Sequence, residues 1–198
     1  MSVEGSMAEA CVIELKPDAQ ADDLRGAMRH LVGGVSVITS GRGEDITGMT
    51  VTSVSSLSLD PPSLIVSINR ASSTWPVLER YGVFGVNILT AEQRDIAERF
   101  SGKNGLKGSE RFIGSEWITR GSTAPLLVGA AAALDCEVEH LIEHHSHAIV
   151  IGRVRQVLLG KRESALAYWH GRYFAVDRDE DVARLAAVGV PRGARSAS

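Results

Sequence analysis

Three segments of the chain bring hydrogen-bonding side chains together at spacings that chemistry can use. The first is Thr50-Val-Thr-Ser-Val-Ser-Ser56, rich in short hydroxyls and β-branched residues, which favour strands. Strand side chains alternate, so Thr50 and Thr52 share one face while Val51 and Ser53 share the other. A face of hydroxyls beside open backbone suits a flat heterocycle with alternating donors and acceptors; it also suits a plain strand with one solvated side. The second segment is Asn69-Arg-Ala-Ser-Ser-Thr74, between a predicted strand and a predicted helix. Helix starts present unpaired N–H groups, so Ser72, Ser73, Thr74 and Arg70 could meet a phosphate there, or simply cap the helix. The third is His147, heading His147-Ala-Ile-Val-Ile-Gly-Arg-Val154. Behind it stands Glu143-His144-His145; His145 and His147 share a strand face and could ligate a metal, although no third ligand is evident.

Several familiar devices are missing. Gly41-Arg-Gly43 lacks the third glycine of a dinucleotide fingerprint and precedes a strand, so it reads as a hairpin turn. Gly102 to Ser109 resembles a phosphate loop in composition but lacks the GK[ST] ending, and no GxSxG occurs. A nucleotide would therefore be held in some other way.

The elements that position these segments read as mostly strands. Asp22 and Asp23 cap a predicted helix with Leu24, Ala27, Met28 and Leu31 on one stripe, stopped by Gly33-Gly34. Strands follow at 35–38, 46–59, 63–68 and 84–89, with a short helix at 73–80 and an amphipathic one at 91–100 that turns Ile96, Ala97 and Phe100 inward. Residues 101–125 are glycine-rich and aperiodic, and read as a long loop. Two long strands span 130–157, and their first half alternates Leu134, Cys136 and Val138 against Asp135, Glu137 and Glu139. Tyr168 to Phe174 reads as a last aromatic strand. A short helix at about 179–188 and a disordered tail end the chain. Strand spacing is that of a barrel or sandwich, not of repeated βαβ units.

Composition narrows the class. The chain has 198 residues, 44% hydrophobic and 23% charged, enough for one domain with a real core. A formal net charge of −3 gives no basic field to draw nucleic acid or anionic lipid. No apolar run approaches the ~20 residues of a membrane span, and no signal peptide is expected. Two cysteines, Cys11 and Cys136, are far apart with no CxxC, so the expected setting is cytoplasmic and Cys136 reads as a small buried hydrophobe.

Taken together, several ordered motifs resemble the flavin reductases of two-component monooxygenase systems, within the flavin-binding split-barrel superfamily. They are Gly33-Gly-Val-Ser-Val-Ile-Thr39, Gly48 to Pro62, Phe84-Gly-Val-Asn-Ile-Leu89, His147-x-Ile-x-Ile-Gly-Arg-Val154 and Tyr168-x-x-Gly-x-Tyr173. The resemblance runs from about Leu24 to Phe174. It implies a mainly β fold, an antiparallel six-stranded split β-barrel of Greek-key type with short flanking helices, filling 21–177 between a 1–20 extension and the 178–198 helix and tail. It also implies a homodimer that uses NADH or NADPH to reduce exchangeable FMN or FAD. Reduced flavin would then diffuse to a separate monooxygenase component. By position, Thr50, Val51, Thr52 and Ser53 would hold the isoalloxazine ring, and Ser67, Asn69, Ser72, Ser73 and Thr74 the ribityl phosphate. Asn87 and Phe112 would line the pocket, while His147 and Tyr173 would face the flavin or the nicotinamide, His147 as the catalytic residue. Arg153 and Arg155 could meet a 2′-phosphate. Ser146 stands where relatives often carry Asp, and Glu143-His144-His145 is unusual. The competing readings are a non-catalytic flavin- or haem-binding barrel and, on the histidine hairpin, a metal-dependent hydrolase.

Overall fold

The computed structural model describes residues 18–161 and 164–177. Most of the expected N-terminal extension, Cys11, and the expected terminal helix and tail lie outside the described residues. In chain order the elements are α1 (Ala21–Met28), β1 (Gly33–Gly34), β2 (Ser36–Arg42), β3 (Asp45–Val51), β4 (Ser55–Leu59), β5 (Pro62–Asn69), α2 (Trp75–Tyr81), β6 (Val83–Ile88) and α3 (Arg94–Phe100). Then come β7 (Trp117–Thr119), β8 (Pro125–Leu127), β9 (Ala132–His144), β10 (His147–Leu159), β11 (Ala165–Trp169) and β12 (Arg172–Val176). Mainly β is the class, as the sequence indicates.

Seven strands form the main sheet, in the order β3-β2-β6-β9-β10-β5-β4, one more than the six expected. The difference arises where 46–59 reads as a continuous strand. Nothing in its Thr, Ser and Val composition signals a break, yet the chain leaves the sheet at Val51 and re-enters at Ser55 on the opposite edge. Four Cα steps reach at most ~14 Å, whereas the edges of a flat seven-stranded sheet stand ~29 Å apart. The sheet must therefore curl until β3 and β4 approach, leaving an unpaired seam between them.

Both faces of β2 are covered, which is why it buries six residues in a row. Val37 joins a cluster with Leu89, Phe100 and Leu126; Ile38 faces the other way, into a cluster with Val66, Leu78, Phe84 and Val150. Gly152 makes room for that second core: a Cβ there would lie 2.2 Å from Phe84 Cζ. Cys136 is fully buried in it, and burial, with the Asp135 charge adding, pushes its thiol up to about 12.

Several local readings change in the fold. Gln20, not Asp22 or Asp23, precedes α1, and Asp23 closes the turn by accepting from the Gln20 N–H at 3.0 Å. Gly33-Gly34 does not stop α1, which ends at Met28, but forms β1 and pairs with Tyr168 and Ala167 of β11. The 101–125 segment is built, not loose. A 3-10 turn at Gly108–Phe112 and the β7–β8 ribbon occupy it, and Phe112 and Trp117 stack edge-on against each other at 4.9 Å. Tyr168 to Phe174 is a hairpin rather than one strand, because His170 and Gly171 both take positive φ and turn the chain in two residues. Asp135 does not share a solvated face with Glu137 and Glu139; it is fully buried and accepts hydrogen bonds from the Ser122 N–H and hydroxyl.

Candidate functional site

The seam between the two edge strands collects the residues singled out in the sequence. β3 pairs on one side only, with β2, so the backbone on its outer edge is open toward the seam, apart from Gly48, whose carbonyl accepts from Arg111. Thr50 is half-buried and its hydroxyl donates to the Ala97 carbonyl of α3 at 2.7 Å, so that side chain anchors a helix. Val51 is buried in the core. Thr52 and Ser53 are exposed in the crossing from β3 to β4. Ser53 donates to the Ser67 carbonyl at 2.8 Å and ties the crossing to β5. Gly33 packs against Thr52 so closely that a Cβ there would come within 2.8 Å of the threonine Cβ.

Two cavities open on this stretch. One of about 210 Å³ is lined by Thr50, Val51, Thr52, Lys103, Tyr168 and Tyr173, among others. The second, of about 530 Å³, runs past Thr52 and Ser53 to Gly33, α1 and the Tyr168–Gly171 turn. Tyr168 lines both, and it was not among the residues picked from sequence. Its signal was present: Tyr168 and Tyr173 stand opposite each other across a two-residue turn, with ring centroids 5.1 Å apart. Burial, then the neighbouring Tyr168 and Glu98, raise the pKa of Tyr173, so its hydroxyl keeps its proton and remains a donor.

Further along β5, Asn69 lies directly across from His147 of β10. The Asn69 side chain accepts from the Ala71 N–H at 2.9 Å, shaping the turn that carries Ser72, Ser73 and Thr74 into α2. In that turn the buried Ser72 and Thr74 hydroxyl oxygens have no partner among the described residues, whereas buried polar groups are normally satisfied. Ordinary capping is not their use, since no side-chain bond closes the start of α2. Arg70 is already engaged: it pairs with Glu143 and donates to the His145 carbonyl at 3.2 Å, pinning the β9–β10 hairpin. His147 is exposed, and its Nδ1 lies 2.9 Å from Ser146 Oγ, so the serine orients the ring.

Two residues expected in the pocket lie elsewhere. Asn87 is fully buried; its amide donates to the Val37 carbonyl at 3.0 Å and its oxygen accepts from the Leu127 N–H at 2.7 Å. It ties β2, β6 and β8 together, which is why an asparagine stands amid apolar neighbours. Phe112 packs on Phe100 and Trp117 in the core. His147 lines neither cavity. Sequence reasoning also passed over Arg111, a buried arginine that donates to the Gly48 and Leu106 carbonyls and fastens the 101–116 segment to β3. Among the described residues no three His, Cys, Asp or Glu side chains are placed to hold a metal. Arg155 pairs with Glu137, and Arg153 stands 4.0 Å from Glu139.

A curled antiparallel sheet with an open, hydroxyl-bearing seam, an aromatic wall beside it and unpartnered hydroxyls at one end defines a β protein with a candidate ligand site, and residues 28–177 place it: the chain belongs to the flavin reductase like domain family. It is 34% identical over 152 residues to the FMN reductase (NADH) RutF of Stutzerimonas stutzeri, spanning 77% of this chain and 86% of that protein. It is 30% identical to the reductase subunit HsaB of a flavin-dependent monooxygenase of Rhodococcus jostii, over 80% of this chain and 79% of that one. Among solved structures it resembles the NADH:FAD oxidoreductase SgcE6 of Streptomyces globisporus, with a TM-score of 0.73 and 29% identity, covering 82% of this chain and 96% of that one.

Proposed function

We propose that this protein reduces exchangeable flavin, FMN or FAD, with NADH or NADPH, and releases the reduced flavin to a separate monooxygenase component. The observation that carries the reading is the seam: open backbone of β3 and the exposed Thr52 and Ser53 at one end, and the unpartnered hydroxyls of Ser72 and Thr74 at the other. The first suits the polar edge of a tricyclic ring, the second a phosphate. Ser67 and Asn69 lie between them on β5, and Ser73 stands in the same turn. A bound flavin would supply the hydride-accepting chemistry, leaving the protein to hold, align and shield. Tyr168 and Tyr173 supply an aromatic wall, and His147, oriented by Ser146, leaves Nε2 to position the nicotinamide.

The same reading includes closure of the curled sheet as a split barrel, a homodimer and a cytoplasmic setting, where nicotinamide nucleotides and free thiols such as Cys136 coexist. Leu24, Met28, Leu31 and Val32 on and after α1 are all more than half exposed, and Leu141, Ile142 and Ile149 stand out from β9 and β10. Apolar area of this kind marks a surface that a second copy covers.

The direct test mixes purified protein with each flavin and each reduced nicotinamide nucleotide and follows absorbance at 340 nm. Turnover is expected with at least one pair. Tight, stoichiometric flavin or haem without nucleotide oxidation would replace the enzyme by a binding protein.

A further inference from the structure

Behind the Tyr168–Tyr173 pair lies a third cavity, of about 400 Å³, with a polar lining unlike the other two. Arg94, Glu98, Lys103 and Arg172 surround it, together with Ser101 and Asn104. Charges here do not cancel. Glu98 is held by Arg94 Nε at 2.9 Å, which neutralises both, whereas Lys103 and Arg172 form no ion pair among the described residues. Two uncompensated cations at one cleft are notable in a chain whose net charge is −3. Ser101, Lys103, Tyr168 and Tyr173 line this cleft and also the 210 Å³ cavity at Thr50–Thr52, so the two spaces adjoin.

We infer that this cleft receives the diphosphate of a dinucleotide whose ring end lies at the Thr50–Thr52 seam. This rests on the flavin reductase reading. A dinucleotide diphosphate carries two negative charges, matching Lys103 and Arg172, and both residue types are suited to phosphate oxygens. Lys103 stands at the junction of the two spaces, where a molecule reaching from the seam would first meet charge. The Arg94 guanidinium, 5.8 Å above the Tyr173 ring, stiffens the wall between them. FAD shares its first phosphate with FMN, at Ser72 and Thr74, so the diphosphate received here is that of the nicotinamide nucleotide.

The test uses the intact protein and the exposed-residue variants Lys103→Gln and Arg172→Gln. Calorimetric titration with ADP, the half common to NADH and FAD, is expected to show binding to the unaltered protein and about tenfold weaker binding in each variant. With FMN as acceptor, a raised KM for NADH at nearly unchanged kcat assigns the cleft to the nicotinamide nucleotide. A raised KM for FAD alone, with NADH unaffected, overturns it. FMN fluorescence quenching should be the same in Arg172→Gln as in the unaltered protein, because Arg172 lines this cleft and not the cavity at Thr50–Thr52. Absence of ADP binding, or equal ADP affinity in the variants, overturns the inference even where FMN still binds; loss of FMN quenching in the unaltered protein would instead remove the flavin seat.

Discussion

At the scale of single residues, environment decides what a side chain can do. Cys136, with its thiol pushed up to about 12 and no exposure, should be inert to iodoacetamide at pH 8 in the native protein and react once unfolded, as read by mass spectrometry of its peptide. His147 is the opposite case, exposed and oriented only by Ser146. His147→Ala should lower the rate of hydride transfer in stopped-flow experiments while leaving FMN affinity near normal; an unchanged rate would remove its role. Asn87 and Thr50 show how the fold can take up the polar group of a plausible residue type. Both carry groups suited to a ligand, and both spend those groups on backbone carbonyls or N–H groups of the fold. Whether a polar side chain is available depends on its neighbours in space, which spacing along the chain does not reveal.

Among elements, the glycines of β1 and β10 make the sharpest predictions. Gly33 lies against Thr52 at the seam, so Gly33→Ala should displace Thr52 and weaken flavin binding several-fold in a fluorescence titration, with little change in melting temperature. Gly152→Ala forces a methyl into Phe84 in the core that holds Ile38 and Val150. Overpacking of this sort costs about 1–3 kcal/mol, which should appear as a lower denaturant midpoint while the flavin site stays competent in the folded fraction. The elements themselves were largely legible, because β9, β10 and α3 carry clear periodic patterns. The divided strand at Thr52 was not, since a hydroxyl-rich run looks the same whether it stays in one sheet position or crosses to another. Nor was the order within 101–125, which comes from Arg111 and from the Phe100–Phe112–Trp117 aromatic cluster, contacts made across the fold.

For the whole molecule, the surface is the informative feature. Exposed Leu24, Met28 and Leu31 repeat at helical spacing with nothing among the described residues to cover them. Replacing Leu24 and Met28 by Ser should shift the protein from dimer to monomer in analytical ultracentrifugation. A monomeric unaltered protein would remove the homodimer from the functional reading. The stripe was visible in the sequence, but a stripe that faces a core and one that faces a partner look identical there.

By itself, the sequence determined the β-rich class, the family and the segment that forms the seam, because strand propensity, turn residues and ordered motifs are local properties. Tertiary structure alone decided which hydroxyls remain available, that Arg70, Arg153 and Arg155 are already engaged or face acids, and that Tyr168, Lys103 and Arg172 line one cleft. Those are outcomes of burial and pairing between residues distant in the chain, and neither composition nor spacing encodes where distant residues meet.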